Sequence, residues 1–128
     1  MPVTASISGN LQLTDNLAGD TTFLKQLVLG YAATVSSFAQ SLNIGTSPAT
    51  ITLPNGSSQF VYIKNLSTVA GNTVSVTWTP KNGFSAAVLT LSPGAALLFS
   101  ETDTANGIVA LSLTASAVNT PVEYVLAS

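Results

Sequence analysis

Hydrophobic and polar residues alternate along much of the chain, most regularly in residues 74–79, which read Val-Ser-Val-Thr-Trp-Thr. Successive side chains of a β-strand point to opposite faces, so this alternation predicts a strand with one apolar face and one hydroxyl face. Pro80 ends the pattern, and Asn82 and Gly83 follow, a pair that tolerates the positive φ angles of a tight type I′ hairpin turn. The segment therefore predicts antiparallel β-structure.

The same pattern recurs between other turn signals. Ser92, Pro93 and Gly94 carry the type II signature, because proline pre-sets φ at the second turn position and glycine accepts positive φ at the third. About eight short strands separated by Gly, Pro and Asn turns are typical of a β-sandwich or barrel. We therefore expect an all-β fold, a single antiparallel β-sandwich. Besides 74–79, the predicted strands are 49–53, 59–66, 86–91, 95–99, 108–116 and 122–126.

Residues 1–22 are rich in Thr, Ser, Asn and Gly, with apolar residues at alternate positions. A polar terminus of this kind is held in place by a neighbouring element or frays. We expect an N-terminal arm or edge strand at 1–22, laid on an adjacent subunit, and a β-sandwich domain at 23–128. The residues expected at the subunit interface are the apolar ones of the arm and the first one after it: Val3, Ile7, Leu11, Leu13 and Phe23.

The apolar residues of segment 23–44 fit both the helical period and the strand period. They can be placed on one helical face, yet several also alternate. Gly30 would cost a helix interior about 1 kcal/mol relative to alanine, which favours a long or bulged strand and leaves a helix open.

Charged residues make up only 6% of the chain, against about 25% of an average globular domain. A surface of Ser, Thr, Asn and small apolar residues can be buried against another subunit with little desolvation of charge. The composition therefore favours a part of an assembly. The formal net charge of −2 and the absence of Arg argue against binding to nucleic acid or to anionic membranes. We also expect no signal peptide and no membrane span.

No set of residues predicts a catalytic or metal site. The chain has no His and no Cys, so triads based on histidine and thiolate metal sites are excluded. Glu101 and Asp103 lie two residues apart and could hold a weak Ca²⁺, but a solvated acidic loop is the favoured interpretation. We expect no cofactor, no metal and no enzymatic activity.

The aromatic and basic residues have structural interpretations. Trp78 is expected in the core, with an exposed sugar-binding platform as the alternative. Tyr31, Tyr62 and Tyr124 are the other candidates for such a surface. Lys64 is interpreted as a charge at a strand edge, where it would discourage unwanted pairing, and Lys81 as a hairpin tip.

Four segments carry a resemblance to a known class of proteins. FVYIKNLS at 60–67, VTWTPKNG at 76–83, LSPGAALLF at 91–99 and LSLTASAVNTPVEYVLAS at 111–128 together resemble small structural proteins of the virions of tailed bacteriophages. Each segment is a strand with its turn. The N-terminal half resembles these proteins only in its composition, which is rich in Thr, Ser and apolar residues.

The resemblance implies a β-sandwich, often of the jelly-roll type, that works by assembling. Members of this class include head cement or decoration proteins, which sit as trimers on the head lattice and clamp neighbouring major capsid proteins. Others are tail, baseplate or fibre components with a role in binding a glycan or receptor. We therefore expect a non-enzymatic virion protein, most simply a homotrimeric head cement protein made in the host cytoplasm, with the tail or fibre role as the alternative.

Overall fold

The computed structural model of the chain describes residues 3–14, 21–33 and 35–128, and within 3–33 it describes only some of the side chains. Nearly all regular structure is β-strand, and a single 3₁₀ turn at Pro54–Gly56 is the exception in the described residues. The strands are β1 Val3–Thr14, β2 Thr21–Ala33, β3 Ser36–Ile44, β4 Ala49–Thr50, β5 Phe60–Asn65, β6 Val74–Pro80, β7 Ala87–Leu91, β8 Ala96–Ser100, β9 Ile108–Ala115 and β10 Thr120–Ala127.

Strands β3–β10 form two four-stranded antiparallel sheets. The first has the order β3-β10-β5-β8 and the second the order β4-β9-β6-β7. Pairing is nested, because β3 pairs with β10, β4 with β9, β5 with β8, and β6 with β7. Strands β3–β10 thus form one long antiparallel hairpin with its tip between β6 and β7, and along each arm of this hairpin successive strands alternate between the two sheets. This is the eight-stranded jelly-roll sandwich, and the expected fold is confirmed.

The core lies between the sheets and follows the predicted alternation. Val74 and Val76 from β6 and Leu113 from β9 are fully buried on one side, and Ile63 and Val122 from the first sheet face them. Their neighbours along each strand are more exposed in most cases. A sheet that buries one face reads as alternating apolar and polar residues, which is why the strands of this sandwich were predictable.

Residues before the sandwich form a separate two-stranded sheet. β1 pairs with β2 in an antiparallel register that runs from Val3 opposite Ala33 to Leu13 opposite Phe23. Strand β2 spans the boundary predicted between 1–22 and 23–128, and that division of the chain stays a prediction. In segment 23–44 the described residues are strand except Val35, which lies between β2 and β3. The strand interpretation was therefore correct, and none of the described residues of this segment is helical.

A second, smaller cluster lies on the outer face of the first sheet. Phe60 and Ala127, which are opposite each other on β5 and β10, are buried there together with Ala33 from the end of β2. Tyr62, Leu98 and Val125 are partly buried against them. The base of the β1–β2 hairpin therefore packs on the sandwich, and the cluster marks the point of attachment.

Two of the predicted turns have different outcomes. The turn at Ser92 is of type II, since the Ala95 N–H donates to the Ser92 carbonyl oxygen at 2.9 Å and Gly94 has φ of 80°. The prediction of a tight type I′ turn at Asn82 and Gly83 was wrong, because β6 and β7 are separated by residues 81–86 and only Gly83 has positive φ. The side-chain pattern of two neighbouring strands does not show how many residues next to the turn remain unpaired, because turn geometry also sets the register.

Candidate interaction surfaces

The acidic loop between β8 and β9 uses its carboxylates to hold its own backbone. The Asp103 N–H donates to Glu101 Oε1 at 3.0 Å, and the Ala105 N–H donates to Asp103 Oδ1 at 2.9 Å. Lys81 Nζ donates to the Thr104 carbonyl oxygen at 2.7 Å and ties this loop to the loop that follows β6. In the part of the chain that the structure describes, no group of three or more acidic, His or Cys side chains could hold a metal ion. The loop is therefore a structural feature of this end of the sandwich.

Trp78 belongs to the core. It is half-buried and packs against the main cluster between the sheets. Beside it lies a cavity of about 20 Å³, lined by Val61, Trp78, Leu97, Phe99, Ile108 and Leu111. A volume of this size accommodates about one water molecule. Neither the residue nor the cavity forms a groove for a sugar.

Tyr62 forms a polar contact on the outer face of the first sheet. Its hydroxyl donates to Glu123 Oε1 at 2.7 Å. Burial raises the pKa of the Tyr62 phenol to about 12, and the hydrogen bond and the charge of Glu123 act in the same direction. The hydroxyl is thus committed to a partner in its own chain, and Tyr124 is half-buried against the main core. The side chain of Tyr31 lies outside those described.

Lys64 does not lie on an edge strand. It lies on β5, an inner strand with β10 and β8 on its two sides, and is opposite Glu123 and Ala96. The edge interpretation was wrong, because sequence alternation does not show which strands become the outer ones. Lys81 begins the exposed loop between β6 and β7, as expected of a hairpin tip.

Charge is distributed unevenly over the sandwich. The loops at one end are 45–48, 66–73, 92–95 and 116–119, and they contain no charged residue; we call this the uncharged end. At the opposite end, the loops carry Lys81, Glu101 and Asp103. The remaining charges of residues 35–128 are Lys64 and Glu123 on the first sheet. Exposed Val69 and Val118 lie at the uncharged end, with 58% and 69% of their surface accessible.

The outer face of the second sheet is a surface of hydroxyl groups without charge. The β6 register places Ser75 between Thr90 and Thr114, and Thr77 between Val88 and Ser112. Ser75 Oγ and Thr90 Oγ1 are 3.5 Å apart. Such a face can be buried against a partner without desolvation of ions. The hydroxyl positions on this face are Thr50, Ser75, Thr77, Thr79, Thr90, Ser112 and Thr114.

The five residues predicted at a subunit interface belong to the β1–β2 hairpin, and their side chains lie outside those described. The register places odd-numbered positions 3–13 opposite odd-numbered positions 33–23, so all five share one face of the hairpin. Ser8 and Gly9 are adjacent on β1 and both are exposed. Neighbouring positions of a strand belong to opposite faces, so the hairpin is exposed at a described position on each face. The interface itself stays a prediction.

Sequence reasoning did not anticipate several exposed apolar residues. Phe38, Phe84 and Val88 have 67%, 69% and 64% of their surface accessible. Phe38 and Val88 lie on outer strands, where one side of the strand lacks a neighbour among the described elements. The available signal was the lack of any charge in residues 84–100, which is unusual for a strand that would border solvent.

Comparison with known proteins identifies no relative. The chain matches no protein family, no curated protein and no solved structure. None of the helices described is long and apolar enough to cross a membrane.

Proposed function

We propose that the chain is a non-enzymatic structural protein of a bacteriophage virion, a head cement protein that stabilises the capsid by clamping neighbouring major capsid proteins. The observation that carries the proposal is the β1–β2 hairpin, a sheet of only two strands that pairs with neither sheet of the sandwich. A two-stranded hairpin is marginally stable by itself in water. A hairpin that is exposed at Ser8 and Gly9 and pairs with no further described strand therefore favours a chain that is completed by neighbours.

The distribution of charge supports the same proposal. The outer face of the second sheet and the uncharged end present hydroxyl and small apolar groups over adjoining surfaces. Permanent interfaces are depleted of charge because burying unpaired ions costs more than burying hydroxyl groups. In this proposal three copies form a closed ring, in which a threefold rotation brings unlike surfaces of identical subunits into contact.

A role in the tail, baseplate or fibre, with binding of a glycan, is the alternative. It draws on the uncharged end, where exposed Val69 and Val118 lie on two loops joined through Ser116. Ser116 Oγ accepts from the Thr73 N–H and donates to the Gly71 carbonyl oxygen. Sugar faces are usually held on aromatic rings, and the four loops of this end contain none. The cement role is therefore the better supported of the two.

Copy number in the particle separates the two roles. Purified virions that contain the chain are digested, and the chain is quantified by mass spectrometry against the major capsid protein. A copy number comparable to that of the capsid protein is expected for a cement protein that covers the lattice. A small fraction of that number would overturn the cement role in favour of the tail or fibre role, and absence from the particle would overturn the proposal as a whole.

A further inference from the structure

The two sheets of the sandwich have four outer strands, and three of them carry features that discourage further pairing. β4 consists of only two residues. β3 is paired with β10 through an irregular register, with a shift between Val122 and Tyr124. β8 is in contact with β2 of the hairpin. Short strands, bulges and covering elements are the usual protection of a sheet edge.

β7 lacks each of these features. It extends over Ala87–Leu91 in regular register with β6, and its sequence Ala-Val-Leu-Thr-Leu contains no charge, proline or glycine. Val88 and Leu89 have 64% and 39% of their surface accessible. On an outer strand, alternate residues direct their N–H and C=O groups away from the sheet. β7 therefore offers a regular, uncharged edge on which another strand can pair.

In the part of the chain that the structure describes, each strand of the β1–β2 hairpin has an unpaired side that is available for pairing with such an edge. β1 and β2 pair only with each other among the described strands, so each has one side without a strand neighbour. β1 has 12 residues and no charge, and β2 contains only Lys25. Sheets of three or more strands are far more stable than an isolated pair. A 12-residue strand is more than long enough to pair along all five residues of β7.

We propose that the β1–β2 hairpin of a second copy of this chain adds to the β7 edge and extends the β4-β9-β6-β7 sheet. The hairpin does not pair with β7 of its own chain, and this leaves a second copy as its source. Strand pairing brings no like charges together, since β7 has no charge and the two strands of the hairpin have only Lys25. The contact joins two different surfaces, and such contacts form a ring when the rotation between successive copies closes on itself. The inference rests on the proposed assembly function and names its contact.

Single cysteines test the contact directly, because the chain has no cysteine of its own. Ser8→Cys on β1 and Gln26→Cys on β2 are the donor variants, and Thr90→Cys on β7 is the acceptor variant; all three positions are exposed. Thr50→Cys is the matched control, because Thr50 is exposed on the same sheet at its opposite edge. A donor variant is mixed with a full-length acceptor or control variant of different tag size, and a short bismaleimide is added.

We expect the crosslinked pair of Ser8→Cys or Gln26→Cys with Thr90→Cys to exceed the pair with Thr50→Cys by about tenfold, since bound neighbours raise the effective concentration. Equal yields with the two acceptors would overturn the inference. Crosslinking of Thr90→Cys with itself, without a hairpin product, would also overturn it, because β7 would then pair with β7.

Light scattering on the same samples separates failure of this contact from failure of the assembly function. An oligomer without the hairpin–β7 product would remove the inference and leave the assembly function standing. A monomer at every concentration would remove both. Val88→Lys places a charge beside the edge and should lower the oligomer fraction severalfold. Gln40→Lys, at an exposed position of β3 in the other sheet, should leave the fraction unchanged; an equal effect of the two substitutions would contradict a contact at β7.

Discussion

Among single residues, Asn65 is a buried polar side chain that connects three parts of the chain. It is fully buried, and its side-chain amide donates to the Asn72 carbonyl oxygen at 2.8 Å and to the Leu91 carbonyl oxygen at 3.1 Å. Its Oδ1 accepts from the Ser67 N–H at 3.0 Å. These bonds join the end of β5 to the loop before β6 and to the end of β7. One amide thus organises the uncharged end where the two sheets meet.

We predict that Asn65→Ala lowers the free energy of unfolding by about 2–4 kcal/mol, because buried backbone groups lose their partners. Chemical denaturation measures this change. Asn43→Ala, at an exposed position of β3, is the control and should change stability by less than about 0.5 kcal/mol. Equal effects of the two substitutions would show that the hydrogen bonds of Asn65 contribute little.

Gly107 is required by a close approach of two backbone segments. Its φ is 127°, and a Cβ atom at this position would lie 2.7 Å from the Ser58 carbonyl oxygen, which accepts from the Ile108 N–H. Gly107→Ala should lower the free energy of unfolding by about 2–4 kcal/mol through strain and loss of that bridge. Gly71 also has positive φ, but a Cβ atom there would meet open space. Gly71→Ala should therefore lower the free energy of unfolding by less, about 1–2 kcal/mol, as measured by denaturation. A larger loss for Gly71→Ala would refute the steric explanation.

Tyr62 couples stability to alkaline pH. Its pKa is raised to about 12 in the folded chain, against about 10 for an unperturbed tyrosine. The folded state therefore holds this proton more tightly, so the contribution is complete below about pH 10 and is lost as pH rises towards 12. Across that pH window, we expect the free energy of unfolding to fall further for the unsubstituted chain than for the Tyr62→Phe variant. In the Glu123→Gln variant, the Tyr62 phenol should titrate at lower pH, which phenolate absorbance measures. An unchanged midpoint would exclude a contribution of Glu123 to the raised pKa of Tyr62.

Among elements, the hairpin and the sandwich differ in how they are stabilised. Strands β3–β10 share a main core whose fully buried members all lie within residues 44–126. The hairpin joins this body through Ala33, Phe60 and Ala127. The sandwich thus has the apolar interior that a domain requires, whereas two strands alone do not.

Deletion of residues 1–32 should therefore leave a cooperatively folded sandwich and abolish assembly. Ala33 is retained because it is buried against Phe60 and Ala127. Thermal unfolding followed by circular dichroism tests the fold, and binding to particles that lack the chain tests the assembly. A truncated chain that binds such particles at full stoichiometry would contradict the role of the hairpin.

For the whole molecule, the scarcity of charge has a measurable consequence. Charges in residues 35–128 are confined to the first sheet and one end, which leaves adjoining surfaces without ionic repulsion between copies. We predict that the isolated protein self-associates as its concentration rises, and that added salt does not dissociate it, because screening acts on charges. Sedimentation velocity over a range of concentrations measures both effects. A single monomeric species at high concentration, or dissociation by salt, would contradict this explanation.

The sequence by itself determined the all-β class, the strands of the sandwich from β4 onwards and the type II turn at Ser92, whereas it left segment 23–44, which contains β3, open between strand and helix. These features depend on local chemistry: period-two burial of residues such as Val74 and Val76, and the φ preferences of Pro93 and Gly94. Scarcity of charge was equally visible, since it needs only a count. The same alternation predicted that Trp78 would pack into the core, and it does.

Only the tertiary structure decided which strands became neighbours and which became edges. The nested pairing joins β3 to β10 across most of the chain, and no local pattern encodes a contact of that separation. For the same reason Lys64 could be taken for an edge residue although β5 lies inside its sheet, and Val88 could be overlooked although β7 is an edge. Whether a strand face or edge meets solvent depends on elements distant in sequence, and the candidate interaction surfaces consist of such faces and edges.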